Sequence, residues 1–221
     1  MKEITVFAVR TDTVRQLDPA VLEEAMPERV EKARRFRFEK DRLLCLGAGF
    51  LMMSALGIRS GKEILRGKNG KPYAPGYPAF SLSHSGEWCI LASGAGNDIG
   101  ADIEEISEKH TGIAPEVYTA AERSWMEEDP VNRFFQLWTW KESVMKATGL
   151  GMELAPGSFE VLPFAEGRGI RLLDRQWYAQ GGSWDHCAFS VCADEPVDRI
   201  RRRILLPGGR EAPCGILRDQ S

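Results

Sequence analysis

Three carboxylates and a lysine stand on two segments of this 221-residue chain that read as a strand and a helix. The first segment is Ile99-Gly100-Ala101-Asp102-Ile103-Glu104, and the second is Trp138-Thr139-Trp140-Lys141-Glu142-Ser143-Val144-Met145-Lys146. In the first, Ile99, Ala101 and Ile103 alternate with Gly100, Asp102 and Glu104. Period two marks a half-buried strand, and side chains two apart share a face. Asp102 and Glu104 therefore point the same way, about 7 Å apart, and repel each other unless a cation or solvent intervenes. Gly100 clears the space beside them. In the second, Trp138, Glu142 and Lys146 fall at i, i+4 and i+8, on one helix face. Carboxylates converging beside a lysine suit a hard divalent cation that handles phosphates. Each segment also has a plainer reading. The strand face fits ordinary solvated acids, and Glu142 with Lys146 fits an exposed helix pair worth about 0.3 kcal/mol. The tryptophan on the same stripe favours burial and puts that face at the rim of a cleft.

The elements that must position these residues follow from punctuation and periodicity. Residues 3–10 read as a strand. Asp18-Pro19 opens a helix over about 19–26, with Asp18 as cap and Pro19 in the first turn. A basic stretch, 28–37, precedes a long apolar helix over about 39–57 that ends at Gly57. A short strand is expected at 62–66, and Asn69-Gly70 is a tight-turn signal leading into Lys71-Pro72-Tyr73. Strands are expected at 79–83 and 88–93, around Ser83-His84-Ser85-Gly86. Gly94 to Asp98 turn into the acidic strand, 99–105. Helices follow at about 115–128 and 131–148, with Gly149 and Gly151 as stop signals. The first of these opens on Thr119-Ala120-Ala121-Glu122, which fits a capping box. Strands near 158–162, 169–173, 184–193 and 198–205 and a tail over 207–221 complete the chain.

Composition narrows the class of function. The chain is 43% hydrophobic and 28% charged, as expected of a folded domain large enough for a real core. A net charge of −3 carries no global bias toward nucleic acid. No stretch approaches the ~20 apolar residues that span a bilayer, and the opening Met1-Lys2-Glu3-Ile4-Thr5-Val6-Phe7 reads as a strand rather than a signal peptide. Five cysteines, Cys45, Cys89, Cys187, Cys192 and Cys214, form no C-x-x-C pair, so neither zinc nor a disulfide framework is indicated and a cytoplasmic location is the default. His84, His110 and His186 lack metal-ligand spacing, and His186 reads as a strand residue. Gly94 to Gly100 misses the dinucleotide fingerprint by one residue, and Gly57 to Lys62 is not a phosphate-binding Walker loop.

Five motifs occur in order: Pro27-Glu28-Arg29-Val30-Glu31-Lys32-Ala33-Arg34-Arg35-Phe36, Gly70-Lys71-Pro72, Leu82-Ser83-His84-Ser85-Gly86, Gly100-Ala101-Asp102-Ile103-Glu104, and Trp138 to Lys146. Together they resemble the 4′-phosphopantetheinyl transferases, specifically the longer monomeric type that activates non-ribosomal peptide synthetases. The resemblance runs over about residues 4–195. It implies an α+β fold, a pseudo-dimer of two similar α/β halves with coenzyme A in the cleft between them. The halves would be 1–97, with the phosphate and adenine contacts, and 98–221, with the magnesium site and catalytic helix. It implies transfer of the phosphopantetheine arm of coenzyme A to a serine of an acyl or peptidyl carrier protein, releasing adenosine 3′,5′-bisphosphate. Asp102, Glu104 and Glu142 would hold magnesium, with manganese as an alternative ion. Glu142 would also serve as base, directly or through a water, and Lys146 would neutralise the leaving phosphate. Arg29 and Lys32 would bind the 3′-phosphate, sharing a face if that stretch is helical. Lys71 and Pro72 would lie against the adenine, and Ser83 and His84 would contact phosphate oxygens. Lys141 belongs to the motif and enters the coenzyme-binding set, although a helix wheel turns it toward solvent.

Two positions depart from the pattern or fit it in two ways. Many relatives carry an arginine on the first long helix where this chain has Leu44, with Arg42 nearby on a different face. Glu122 matches a glutamate near the family's metal site and equally fits the capping box, with the cap slightly preferred. Two other functions remain open: a coenzyme A- or carrier-binding module that has lost catalysis, and a different magnesium-dependent nucleotide transferase.

Overall fold

The computed structural model describes residues 2–94, 96–108, 115–207 and 211–212. Strand β1 (Glu3–Arg10) leads into a short helix α1 (Thr11–Arg15), for which the sequence carries no clear signal. Helix α2 (Pro19–Ala25) begins as its cap predicts, the Asp18 carboxylate accepting from the Ala20 N–H at 2.9 Å. The basic stretch forms α3 (Pro27–Arg34), so Arg29 and Lys32 do share a helical face. Helix α4 (Glu39–Leu56) ends on Gly57 at φ 76°, a left-handed C-terminal cap that glycine adopts without strain. A 3-10 turn over Gly61–Glu63, capped by Ser60, shortens the expected strand to β2 (Leu65–Arg66). The Asn69-Gly70 turn returns the chain as β3 (Pro72–Tyr73).

The next strands are β4 (Phe80–Ser85), β5 (Trp88–Gly94) and β6 (Ile99–Glu105). Helix α5 (Ala120–Met126) starts later than expected because Thr119 caps it in a complete box with Glu122, and Pro115–Val117 form a separate 3-10 turn. Helix α6 (Pro130–Thr148) matches its expected span and stops at Gly149, φ 72°. The strand expected near 158–162 is absent. Pro156–Ser158 and Leu162–Glu166 are 3-10 turns, and the backbone between them bonds to buried side chains rather than to a neighbouring strand. The expected strand at 184–193 is the second arm of a hairpin, β8 (Arg175–Trp184) and β9 (Cys187–Ala193), with β7 (Ile170–Leu172) beside β8. His186 lies in the hairpin turn with an exposed side chain, not in a strand. Strand β10 (Arg199–Leu205) and the two-residue β11 (Glu211–Ala212) follow. His110, Cys214 and most of the tail fall outside the described residues, while Cys45, Cys89, Cys187 and Cys192 are free and buried.

The strands form one five-stranded sheet, β11-β10-β1-β5-β4, one four-stranded sheet, β6-β9-β8-β7, and the small β2-β3 ribbon. The first sheet recruits the far end of the chain, since β10 runs parallel to β1 with Glu3 opposite Arg199. Ile4, Val6 and Ile90 of the first sheet share a core with Ile99, Ile103 and Val191 of the second. Helix α4 covers the other side of the first sheet through Phe50, Leu51 and Met52. Helix α6 covers the other side of the second through Leu137, Val144 and Met145. The mixed α+β class expected from the sequence is present. No described helix is long and apolar enough to cross a membrane.

Candidate active site

The alternation in β6 places its side chains as the letters require, but the strand is buried on both faces rather than one. Ile99, Ala101 and Ile103 enter the core between the sheets. Gly100, Asp102 and Glu104 face α6. Gly100 makes that approach possible, because a Cβ there would fall 1.8 Å from the Ser143 carbonyl oxygen and 2.4 Å from the Ala147 nitrogen. The glycine therefore admits the helix backbone, rather than clearing room for its acidic neighbours. Gly100→Ala is expected to cost about 1–3 kcal/mol or more through overpacking. The check is the urea midpoint, and an unchanged midpoint would mean that α6 can retreat freely.

The other wall is β4, the edge of the first sheet, which lies against β6, the edge of the second. Three serines at alternate positions join these edges. Ser81 Oγ accepts from the Ala101 N–H at 3.0 Å. Ser83 Oγ donates to Asp102 Oδ1 at 2.7 Å. Ser85 Oγ accepts from the Glu105 N–H and donates to Glu104 Oε2, both at 2.9 Å. Hydroxyls thus satisfy backbone donors that a continuous sheet would satisfy with carbonyls. Ser81 belongs to no sequence motif, and Ser85 stands in one without an assigned role. Their spacing of two with Ser83 was the available signal, but it did not identify the partner strand.

Asp102 is 2% exposed and lies at the centre of the site. Its Oδ1 accepts from Lys146 Nζ at 2.6 Å as well as from Ser83, and Lys146 also donates to Ser83 Oγ at 3.0 Å. Its Oδ2 is buried without a partner. Burial, and next the Asp102 charge, push the Glu104 carboxyl up to about 7 against the opposing pull of Ser85 and Lys146. Burial likewise raises Glu142, with Lys146 opposing and Asp102 reinforcing the shift. Raised carboxyls and an orphaned carboxylate oxygen describe excess negative charge in a low-dielectric place. Among the described residues no three His, Cys, Asp or Glu side chains form a closed metal-ligand group. The electrostatics nevertheless fit a cation, since a divalent ion would relieve this repulsion and give Asp102 Oδ2 a partner.

The remaining sequence-predicted residues divide. Desolvation holds His84 below the ordinary imidazole value, and the Lys146 and Lys32 charges push the same way, which puts these three groups within electrostatic reach of one another. The Arg29 stem lies over Gly49 of α4, and Lys32 is exposed one helical turn on. Leu44 is buried in the core, whereas Arg42 is exposed. Pro72 is half-buried in the ribbon, and the Lys71 ammonium bonds to the Ala147 carbonyl oxygen at 2.9 Å.

Lys141 reverses its expectation. It is fully buried rather than turned to solvent, and its three donors meet Glu122 Oε2 at 2.9 Å, the Pro156 carbonyl at 2.8 Å and the Phe159 carbonyl at 2.7 Å. All three donors of this ammonium are engaged within the fold. Glu122, also fully buried, caps α5 by accepting from the Thr119 N–H at 2.8 Å and holds the Val161 N–H at 2.9 Å. The cap reading of Glu122 holds, with a buried ion pair added to it.

Comparison with known proteins agrees with the motif content. Residues 98–192 match the family model described as the 4′-phosphopantetheinyl transferase superfamily. The chain is 31% identical over 153 residues to "4′-phosphopantetheinyl transferase Sfp" of Bacillus subtilis (strain 168), covering 64% of this chain and 68% of that protein. It is 37% identical over 149 residues to "4′-phosphopantetheinyl transferase psf-1" of Bacillus pumilus, covering 62% and 63%. A shorter match, 39% over 104 residues, is to "4′-phosphopantetheinyl transferase gsp" of Aneurinibacillus migulanus, covering 44% of each chain. Aligned sequence thus spans between under half and about two thirds of the curated relatives' lengths.

Proposed function

Because the chain belongs to the 4′-phosphopantetheinyl transferase superfamily, we propose that it moves the phosphopantetheine arm of coenzyme A to a serine hydroxyl of an acyl or peptidyl carrier protein. Adenosine 3′,5′-bisphosphate leaves. The observation that carries this reading is the convergence of Asp102, Glu104 and Lys146 with α6 at the seam between two sheet edges. The halves on this reading are 1–97 and 98–221, with coenzyme A in the cleft between them and β10 of the second half crossing to pair with β1 of the first. On this reading the protein works as a cytoplasmic monomer, and the four cysteines among the described residues, buried and without disulfides, suit a reducing compartment.

Asp102, Glu104 and Glu142 would hold magnesium, with the remaining ligands from phosphate oxygens and water. The ion when bound supplies a Lewis acid against the charge that develops on the pyrophosphate. Glu142 takes the proton of the carrier serine, directly or through one water. Its raised affinity for protons moves it toward the range where a general base works near neutral pH. Lys146 carries the positive charge nearest to Asp102 and Ser83, and faces the leaving phosphate. His84 contacts phosphate oxygens, Ser83 joins it once its hydroxyl turns from Asp102 to the phosphate, and Pro72 with the Lys71 stem offers a surface to the adenine.

The direct test is holo-carrier formation, read as a mass gain on apo-carrier with coenzyme A and magnesium and abolished by chelator. Absence of any gain across a carrier panel would favour the catalytically inactive binding module. A melting temperature raised by other nucleotides but not by coenzyme A would favour a different nucleotide transferase.

Arg29 and Lys32, one turn apart on α3, are the candidates for the 3′-phosphate. Arg29→Ala or Lys32→Ala is expected to weaken coenzyme A about tenfold, the worth of one charge-assisted hydrogen bond. Dephospho-coenzyme A should be nearly unaffected, and calorimetry that finds equal losses for both ligands would exclude the contact.

A further inference from the structure

The turn between β2 and β3 reaches across to the elements that carry the carboxylates. Lys71 Nζ donates to the Ala147 carbonyl oxygen at 2.9 Å and stands 3.9 Å from Asp98 Oδ1. Asn69 Nδ2 donates to the Leu150 carbonyl oxygen at 3.2 Å and to Glu153 Oε2 at 3.0 Å. Ala147 lies in the last turn of α6, where carbonyls lack intrahelical partners and carry partial negative charge. Asp98 immediately precedes β6. One short turn therefore touches the end of the helix that bears Glu142 and Lys146 and the start of the strand that bears Asp102 and Glu104.

We propose that Asn69 and Lys71 are positioning residues, Lys71 holding the last turn of α6 against the start of β6 and Asn69 holding the turn that follows the helix, and that this clasp sets the register in which Lys146 meets Asp102. The inference rests on the transferase reading. It differs from an adenine contact by the Lys71 ammonium, because the head group is engaged with the helix end and only the stem is left for a nucleotide. Lys146 is the residue next to the clasped carbonyl. Its 2.6 Å and 3.0 Å bonds to Asp102 and Ser83 would not survive a displacement of about 1 Å. Helix ends fray when their carbonyls are left to water. A shift of about 1 Å in a catalytic group can cost up to about a hundredfold in rate.

The test compares Lys71→Met and Asn69→Ala with wild type in holo-carrier formation, and follows amide hydrogen exchange across the end of α6. Asn69 has no assigned ligand contact, so its variant isolates the clasp. The expected result is a fall in kcat of about tenfold or more in each variant, a KM for coenzyme A within about twofold of wild type, and faster exchange in the last turn of α6. A raised KM for coenzyme A with kcat intact in Lys71→Met would overturn the clasp in favour of a nucleotide contact. A lowered melting temperature with both kinetic constants unchanged would reduce it to ordinary scaffolding and overturn it too. Should the wild-type protein form no holo-carrier, the transferase reading fails on its own. The exchange data then decide the clasp, and unchanged protection at the end of α6 would overturn it.

Discussion

Glu142→Gln is expected to lower turnover about a thousandfold, as loss of a general base does, while coenzyme A binding stays within a few-fold. Glutamine preserves the shape of the side chain and removes its charge and its ability to accept the serine proton. Stability gives the control. A carboxyl whose proton affinity is raised by folding contributes stability only while protonated, and that contribution is lost as pH rises through its folded value. Ionised Glu142, beside Asp102 and Glu104, therefore strains the fold at pH above its folded value, and a neutral glutamine should melt there at the same temperature or higher. Lost turnover with an equal or raised melting temperature locates the effect in the chemistry. Retention of a near wild-type rate would remove Glu142 from the mechanism.

The site depends on two sheet edges meeting without becoming one sheet. Serine hydroxyls at 81 and 85 stand where ladder carbonyls would otherwise be, and those at 83 and 85 bond the carboxylates directly. A hydroxyl both donates and accepts, so Ser85 satisfies a backbone N–H of β6 while bonding Glu104. The seam thus holds its acids in place and leaves Asp102 Oδ2 unpartnered.

Much of this was legible because it is local. Period two in β6, the i, i+4 stripe of Glu142 and Lys146, the Asp18 cap, and the glycine stops after α4 and α6 each act within a few residues of themselves, and each appears where expected. What was illegible is long-range. Nothing near Arg199 announces that it will pair in parallel with Glu3. The serines announce a shared face but not the strand they face. Gly100 reads as small, but its reason is a helix backbone contributed by residues 143 and 147. The false strand near 158–162 failed because its backbone groups are consumed by Lys141 and Glu122, which no periodicity within that segment could reveal.

Lys141 is the sharpest of these cases, and Lys141→Met is expected to destabilise the protein by about 3–5 kcal/mol, the cost of stranding a buried charge. A helix wheel turns this lysine outward because it assumes that ammonium groups seek water. Here Glu122 and two carbonyls replace that water completely, and the Phe159 ring lies 4.7 Å from the ammonium. Burial still holds the Lys141 ammonium below the ordinary lysine value, with Glu122 opposing. Methionine fills the space but leaves the buried Glu122 carboxyl with only its two backbone donors. The measured sign should be a fall in melting temperature on the order of 10 °C for a chain of this size. Adding Glu122→Gln to Lys141→Met removes the stranded charge and should recover part of the loss, so a double-mutant cycle isolates the coupling. If Lys141 instead touched the coenzyme, as the motif resemblance implies, the single variant would raise the KM for coenzyme A and leave the melting temperature unchanged.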